Sequence, residues 1–161
     1  MAFDVTSVNG TLWAVRPDGT KKWSVRTGGI TPSSPVLGAE GNIYVGVNQQ
    51  MCAFTSNGSK KWEFPTLDMI DSAAAICADG TVLFTSRDHD LYAADSDGKR
   101  LWHVWLQGPV LSSPNVAADG VVYVLSFYRL HALQGSARPA ASPWPMFRGN
   151  PRHTGRVALG P

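Results

Sequence analysis

Four carboxylates, Asp68, Asp71, Asp88 and Asp90, stand close together in the middle of the chain, with His89 between the last two. Hard oxygen ligands of this kind could hold calcium, and a histidine flanked by aspartates could serve as a general base. The spacing matches no EF-hand loop, and no motif places a Ser or Cys as nucleophile. The acids are therefore read as solvated loop residues, with no metal ligand and no catalytic residue assigned. Cys52 and Cys77 stand 25 apart, too few for a disulfide framework and without zinc-ligand spacing. His103 and His131 read as packing or surface residues, and Met51, Met69 and Met146 as gap fillers.

What must position these residues follows from composition. The 161 residues carry 14 Lys+Arg against 12 Asp+Glu, a net charge of +2, which offers no electrostatic grip on nucleic acid. No apolar run approaches the ~20 residues of a membrane-spanning helix, and the first ten residues lack a signal-peptide core. Membrane insertion is not expected. With 16 Gly, 11 Pro and six Trp but only 16% charged residues, many turns join many aromatic-rich segments, which points to an all-β protein.

The elements recur. Ala14, Ala53, Ala93 and Ala132 lie in short apolar pieces and are spaced 39, 40 and 39 apart. Trp23, Trp62 and Trp102 follow the first three by nine residues; Pro35, Ala74 and Pro114 follow each Trp by twelve. Within a unit, short apolar or alternating runs are bounded by Asp-Gly, Asn-Gly and Ser-Pro, the signals of strands and tight turns. In the second unit these runs are strands A (35–38), B (42–47), C (51–55) and D (60–64). Four strands per ~40 residues is the blade of a β-propeller.

Counting the ends gives four units of about 1–34 plus 156–161, 35–73, 74–113 and 114–155. Trp144 follows Ala132 by twelve residues and is expected on strand D of the fourth blade, after a three-residue insertion. Residues 156–159 align with strand A and are expected to complete the first blade, which removes an unmatched strand edge.

The pattern A-x-x-x-[DN]-G-x-x-x-W, in AVRPDGTKKW, AFTSNGSKKW and AADSDGKRLW, resembles the PQQ-like β-propeller repeat family, as does the tail SPWPMFRGNPRHTGR. That family includes quinoprotein alcohol dehydrogenases and the outer-membrane assembly propeller lipoprotein, so the resemblance implies fold more firmly than function. It implies that Trp23, Trp62, Trp102 and Trp144 dock neighbouring blades, with Ala14, Ala53, Ala93 and Ala132 small to admit the rings, and that His153 bonds locally. Family quinoenzymes hold PQQ against a vicinal disulfide with calcium beside it; this chain has no adjacent cysteines and no c-type haem motif, so neither PQQ nor calcium is expected. Members close with about eight blades. A four-blade chain is accordingly expected to pair into a homodimer, with a closed four-blade monomer and a piece of a longer ring as alternatives. An extracytoplasmic or periplasmic origin is compatible with the resemblance.

Strand order places A–B and C–D turns at one end of the ring and B–C tips with D–A loops at the other. The first set repeats Asp-Gly and Asn-Gly, the chemistry of hairpin turns. The second set diverges, and divergence confined to one end is where binding is expected. That candidate face comprises Asn48, Gln49, Gln50, Asp68, Asp71, Asp88, His89, Asp90, Phe127, Tyr128 and Arg129. The expectation is a non-catalytic scaffold that binds a protein or peptide, the alternative a fragment of a PQQ-dependent dehydrogenase or a cofactor sensor.

Overall fold

A computed structural model describes residues 3–7, 9–127 and 129–152. Its strands form four antiparallel sheets in chain order, the blades of a β-propeller. Blade 1 is β1 (Phe3–Ser7), β2 (Thr11–Val15) and β3 (Lys21–Arg26). Blade 2 is β4 (Val36–Leu37), β5 (Ile43–Val47), β6 (Gln50–Phe54) and β7 (Lys60–Pro65). Blade 3 is β8 (Ala75–Ile76), β9 (Val82–Thr85), β10 (Asp90–Ala94) and β11 (Arg100–Trp105), and blade 4 is β12 (Asn115–Val116), β13 (Val121–Ser126) and β14 (Arg129–Gln134).

The Ala/Trp spacing becomes a cross-strand pair. Ala14 lies opposite Trp23, Ala53 opposite Trp62 and Ala93 opposite Trp102, and the register shifts by one residue just after each alanine. The small side chain leaves room for the indole, which reaches the next blade. Trp23 Nε1 donates to the Ser56 carbonyl at 3.0 Å, and Trp62 Nε1 to the Ser96 carbonyl at 2.9 Å. Three apolar cores fill the seams between consecutive blades. Leu12 meets Ile43, Val45 and Phe54; Tyr44 and Met51 meet Val82, Phe84 and Tyr92; Leu83 and Leu91 meet Val116, Val122 and Val124.

Strand A spans only two residues in the blades where it is described, shorter than its sequence run. A hydroxyl replaces the missing backbone pairing at its start. Ser33 Oγ accepts from the Gly46 amide at 2.7 Å, Ser112 Oγ accepts from the Leu125 amide at 2.9 Å, and Ser72 Oγ bonds Thr85 Oγ1 at 2.6 Å. In blades 2 and 4 the Ser-Ser-Pro run is thus a staple: proline lacks an N–H, and the first serine accepts from a strand B amide, whereas in blade 3 Ser72 of Ser-Ala-Ala bonds a hydroxyl.

Blade 4 departs from the expected plan. Among the described residues it has three strands: Ala132 pairs with Tyr123 on strand B, as Ala53 does with Tyr44, but no strand D sets a tryptophan on its other side. Trp144 lies on no strand; it packs with Phe147 against the core between blades 2 and 3. Pro139, Pro143, Pro145 and Pro151 remove too many amide donors for a strand D. Instead the segment runs along the free edges of β8 and β4. The amides of Ala78, Ile76 and Leu37 donate to the carbonyls of Arg138, Pro145 and Trp144, each at 2.8 Å, and the Ala140 amide donates back to Ile76 at 2.8 Å. The expected closing strand at 156–159, and His153, lie outside the described residues.

Candidate functional site

The end of the blades with B–C tips and D–A loops is built by a repeated latch. The amide following each strand D donates to a B–C tip carbonyl: Thr27 to Gly10 at 2.9 Å, Thr66 to Gln49 at 2.8 Å and Leu106 to His89 at 2.8 Å. Asn48 stitches the loops on either side of it. Its Oδ1 accepts from the Ile30 amide and its carbonyl from the Ile70 amide, both at 2.9 Å. Gln50 opens β6 opposite Pro65, and Arg129 donates through Nη1 to Gln107 Oε1 at 2.7 Å. Tyr128 lies outside the described residues.

The four acids do not converge on a common point. Asp71 forms an ion pair with Arg87. Asp68 accepts from the Met69 amide at 2.7 Å through its own Oδ1, and its carbonyl accepts from Ser86 Oγ at 2.9 Å. Asp88 Oδ2 accepts from Tyr92 Oη and from the Leu67 amide, each at 2.9 Å, tying the Leu67 loop to blade 3. Asp90 accepts or shares a proton with His103 Nδ1 at 2.9 Å. Among the described residues no three His, Cys, Asp or Glu side chains are grouped to hold a metal ion.

The aspartate–histidine pair that does form is Asp90–His103, joining adjacent strands, while His89 holds a tip at φ +80°. His103 stacks on Tyr92, ring centroids 5.8 Å apart, and Tyr92 stacks on Phe84 at 5.5 Å. Burial, reinforced by Asp88, pushes the Tyr92 hydroxyl well above its ordinary value, so it stays a donor. Ser126 Oγ lies 2.7 Å from His131 Nε2, but Ser126 is buried and closed to a substrate. Burial also pushes the Cys52 thiol up to about 11 and that of Cys77 to about 12, which leaves both protonated and poor nucleophiles at neutral pH.

Beside exposed polar residues such as Asn48, Gln49 and Arg87, this end displays large apolar side chains to solvent. Leu67, 85% exposed, crowns one D–A loop and Phe127, 64% exposed, a B–C tip; Ile30, Trp105 and Leu111 are exposed on the same end. The sequence pattern marks Phe127 among them and passes over the rest, because single apolar residues in loops or at a strand end carry no periodicity. No helix among the described residues is long and apolar enough to cross a membrane.

The family described as outer membrane protein assembly factor BamB matches residues 55–138, just over half of the chain. Among solved structures the chain is similar to BamB from Moraxella catarrhalis, with a TM-score of 0.74 and 16% identity, over 88% of this chain and 45% of that one. It is also similar to BBS1N, solved in complex with ARL6DN, with a TM-score of 0.63 and 14% identity, over 76% of this chain and 42% of that one. The chain thus spans less than half the length of either structure. No curated protein sequence matches it.

Proposed function

The chain belongs to the family described as outer membrane protein assembly factor BamB, and on that footing we propose that it is a non-catalytic propeller scaffold that docks a protein partner on its B–C/D–A end. The observation that carries this reading is the set of exposed Ile30, Leu67, Leu111 and Phe127 on loops, with Trp105 at the end of β11, beside polar groups such as Asn48, Asp71 and Asp88 that are bonded within the protein. Apolar and aromatic side chains on a rigid frame are what a protein interface uses as anchors. The family description names an assembly factor, and a scaffold that holds another polypeptide fits that description.

The same reading has the protein work without PQQ or calcium, since the two thiols sit buried and apart and the acids are engaged elsewhere. It also includes self-assembly, because among the described residues the first and last blades each carry an apolar face with no blade packed on it. The test is photo-crosslinking in the source organism with a reactive residue at Leu67 or, as control, at Asp18 on the opposite end. Protein adducts at Leu67 that vanish with Trp105→Ala and Phe127→Ala support the reading; equal adducts at both ends reject it. A rise in melting temperature on adding PQQ with calcium would restore the quinoprotein alternative.

A further inference from the structure

The three seams inside the chain define a delivering and a receiving face for every blade. The delivering face presents the strand C alanine and its neighbours; the receiving face presents the alternate residues of strands B and C. Blade 2 delivers Tyr44, Met51 and Ala53, and blade 3 delivers Leu83, Leu91 and Ala93, all buried under the next blade. At the same repeat positions blade 4 carries Tyr123, Leu130 and Ala132, and all three are exposed. Leu130 is 70% exposed where Met51 and Leu91 are 0% exposed, and Leu125 beside it is exposed too. This face has the composition of a seam with no blade on it.

Among the described residues, blade 1 is uncovered on the opposite side. Its receiving face carries Trp13, exposed, where blades 2 and 3 bury Cys52 and Tyr92. Its C–D turn tells the same story. A Cβ on Gly58 would lie 3.0 Å from Trp23 and one on Gly98 would lie 2.6 Å from Trp62, whereas one on Gly19 would meet nothing within 4 Å. Among the described residues, the receiving face of blade 1 and the delivering face of blade 4 have no blade packed on them.

From these two faces we infer that the chain pairs with a second copy of itself, blade 4 of each seated on blade 1 of the other. A delivering face and a receiving face on one molecule make a heterologous contact, which closes when the rotation per copy allows it. Closure by two copies is indicated by size: the chain covers 45% of the longer BamB propeller structure, which it follows with a TM-score of 0.74. Two copies form one ring with two identical seams. Tyr123, Leu125 and Leu130 make the contact; Trp144 stays on its own chain, its ring over Gly149. The inference rests on the scaffold reading only in taking the chain to self-assemble, and it uses blade faces rather than the loop end.

Light scattering across about two decades of concentration should give twice the chain mass of 17.3 kDa. Leu130→Asp should weaken pairing by about a hundredfold or more and halve the mass, with an unchanged circular dichroism spectrum. In a chain carrying both Trp13→Cys and Tyr123→Cys, oxidation should give a covalent two-chain product, since Cys52 and Cys77 are buried. A single-chain mass for the unaltered protein, an internally cross-linked single chain, or a ladder of longer products would each overturn the proposal. Trp105→Ala with Phe127→Ala separates the two readings: with the reactive residue at Leu67, the pair should abolish partner adducts and leave the two-chain mass intact. Adducts that persist on a single-chain protein would sink the pairing and leave the loop end standing.

Discussion

Adding one methyl group to a C–D turn measures how tightly an indole docks. Gly19 and Gly98 occupy equivalent turns with the same φ of +82°. Alanine at either site adopts a left-handed backbone, at about 1–2 kcal/mol, and either change lowers the entropy of the unfolded chain equally. The surroundings differ. At Gly19 the new methyl meets open space; at Gly98 it would lie 2.6 Å from Trp62 Cδ2 and 2.8 Å from Cγ. The indole cannot retreat freely, because Nε1 is bonded to the Ser96 carbonyl and the ring sits 5.8 Å from Tyr44. Overpacking of this kind adds about 1–3 kcal/mol.

Gly19→Ala should therefore cost about 1 kcal/mol and Gly98→Ala about 3 kcal/mol. Trp62→Ala alone should cost about 3 kcal/mol, from the vacated seam and the lost N–H bond. With the indole gone, adding Gly98→Ala should cost no more than Gly19→Ala does, a coupling of about 2 kcal/mol. Urea denaturation in the Leu130→Asp background keeps assembly out of the measurement. If Gly98→Ala and Gly19→Ala agree within about 0.5 kcal/mol, or the double mutant is additive, the indole is not clamped by the next blade and the docking argument fails.

Ser33→Ala should destabilise by about 1–3 kcal/mol, because the buried Gly46 amide loses its acceptor; a neutral result in the same denaturation would remove the staple role. Ending the chain after Gly135 should speed hydrogen exchange at the Leu37, Ile76 and Ala78 amides, which donate to the removed segment; unchanged protection there would mean the segment is not what protects them. Alkaline pH should weaken the fold through its thiols. Their folded values lie above the ordinary 9.0, so the folded state holds protons that the unfolded state has released, and stability is full below pH 9 and falls as pH rises toward about 11 for Cys52 and about 12 for Cys77. Cys77→Val should flatten that fall, and equal pH profiles for the two proteins would contradict it.

The blades were legible because their landmarks are independent of one another. Alanine, tryptophan and the Asp-Gly or Asn-Gly turn keep a common spacing, and each has its own physical reason to recur: a small partner, a docking ring and a left-handed turn. Trp144 misled because spacing alone placed it on a strand. Its flanking residues, Pro143 and Pro145, carried the opposite signal, since neither can donate to a ladder. The Asp90–His103 pair was hidden for a different reason. It joins neighbouring positions on paired strands, and the register that brings them together depends on the irregularity after Ala93. The loop acids drew attention by their number, yet their roles are set by amides and hydroxyls that sequence spacing does not locate.

The course of the proline-rich segment narrows where a partner can sit. A strand A with a free edge offers a row of amides and carbonyls to any extended peptide. Here those of β4 and β8, which approach one another, are taken by residues 138–145 of the same chain, with Met146 and Ala140 buried in the seams beside them. Entry of a peptide along those edges would have to displace hydrogen bonds at Leu37, Ile76, Ala78 and Ala140 and expose both side chains. The B–C/D–A end asks for no such displacement: its polar groups are latched to one another, and Leu67, Trp105 and Phe127 already stand in solvent. A partner that covers them gains apolar contact on a frame that need not rearrange, and such preorganisation keeps the entropic cost of association low.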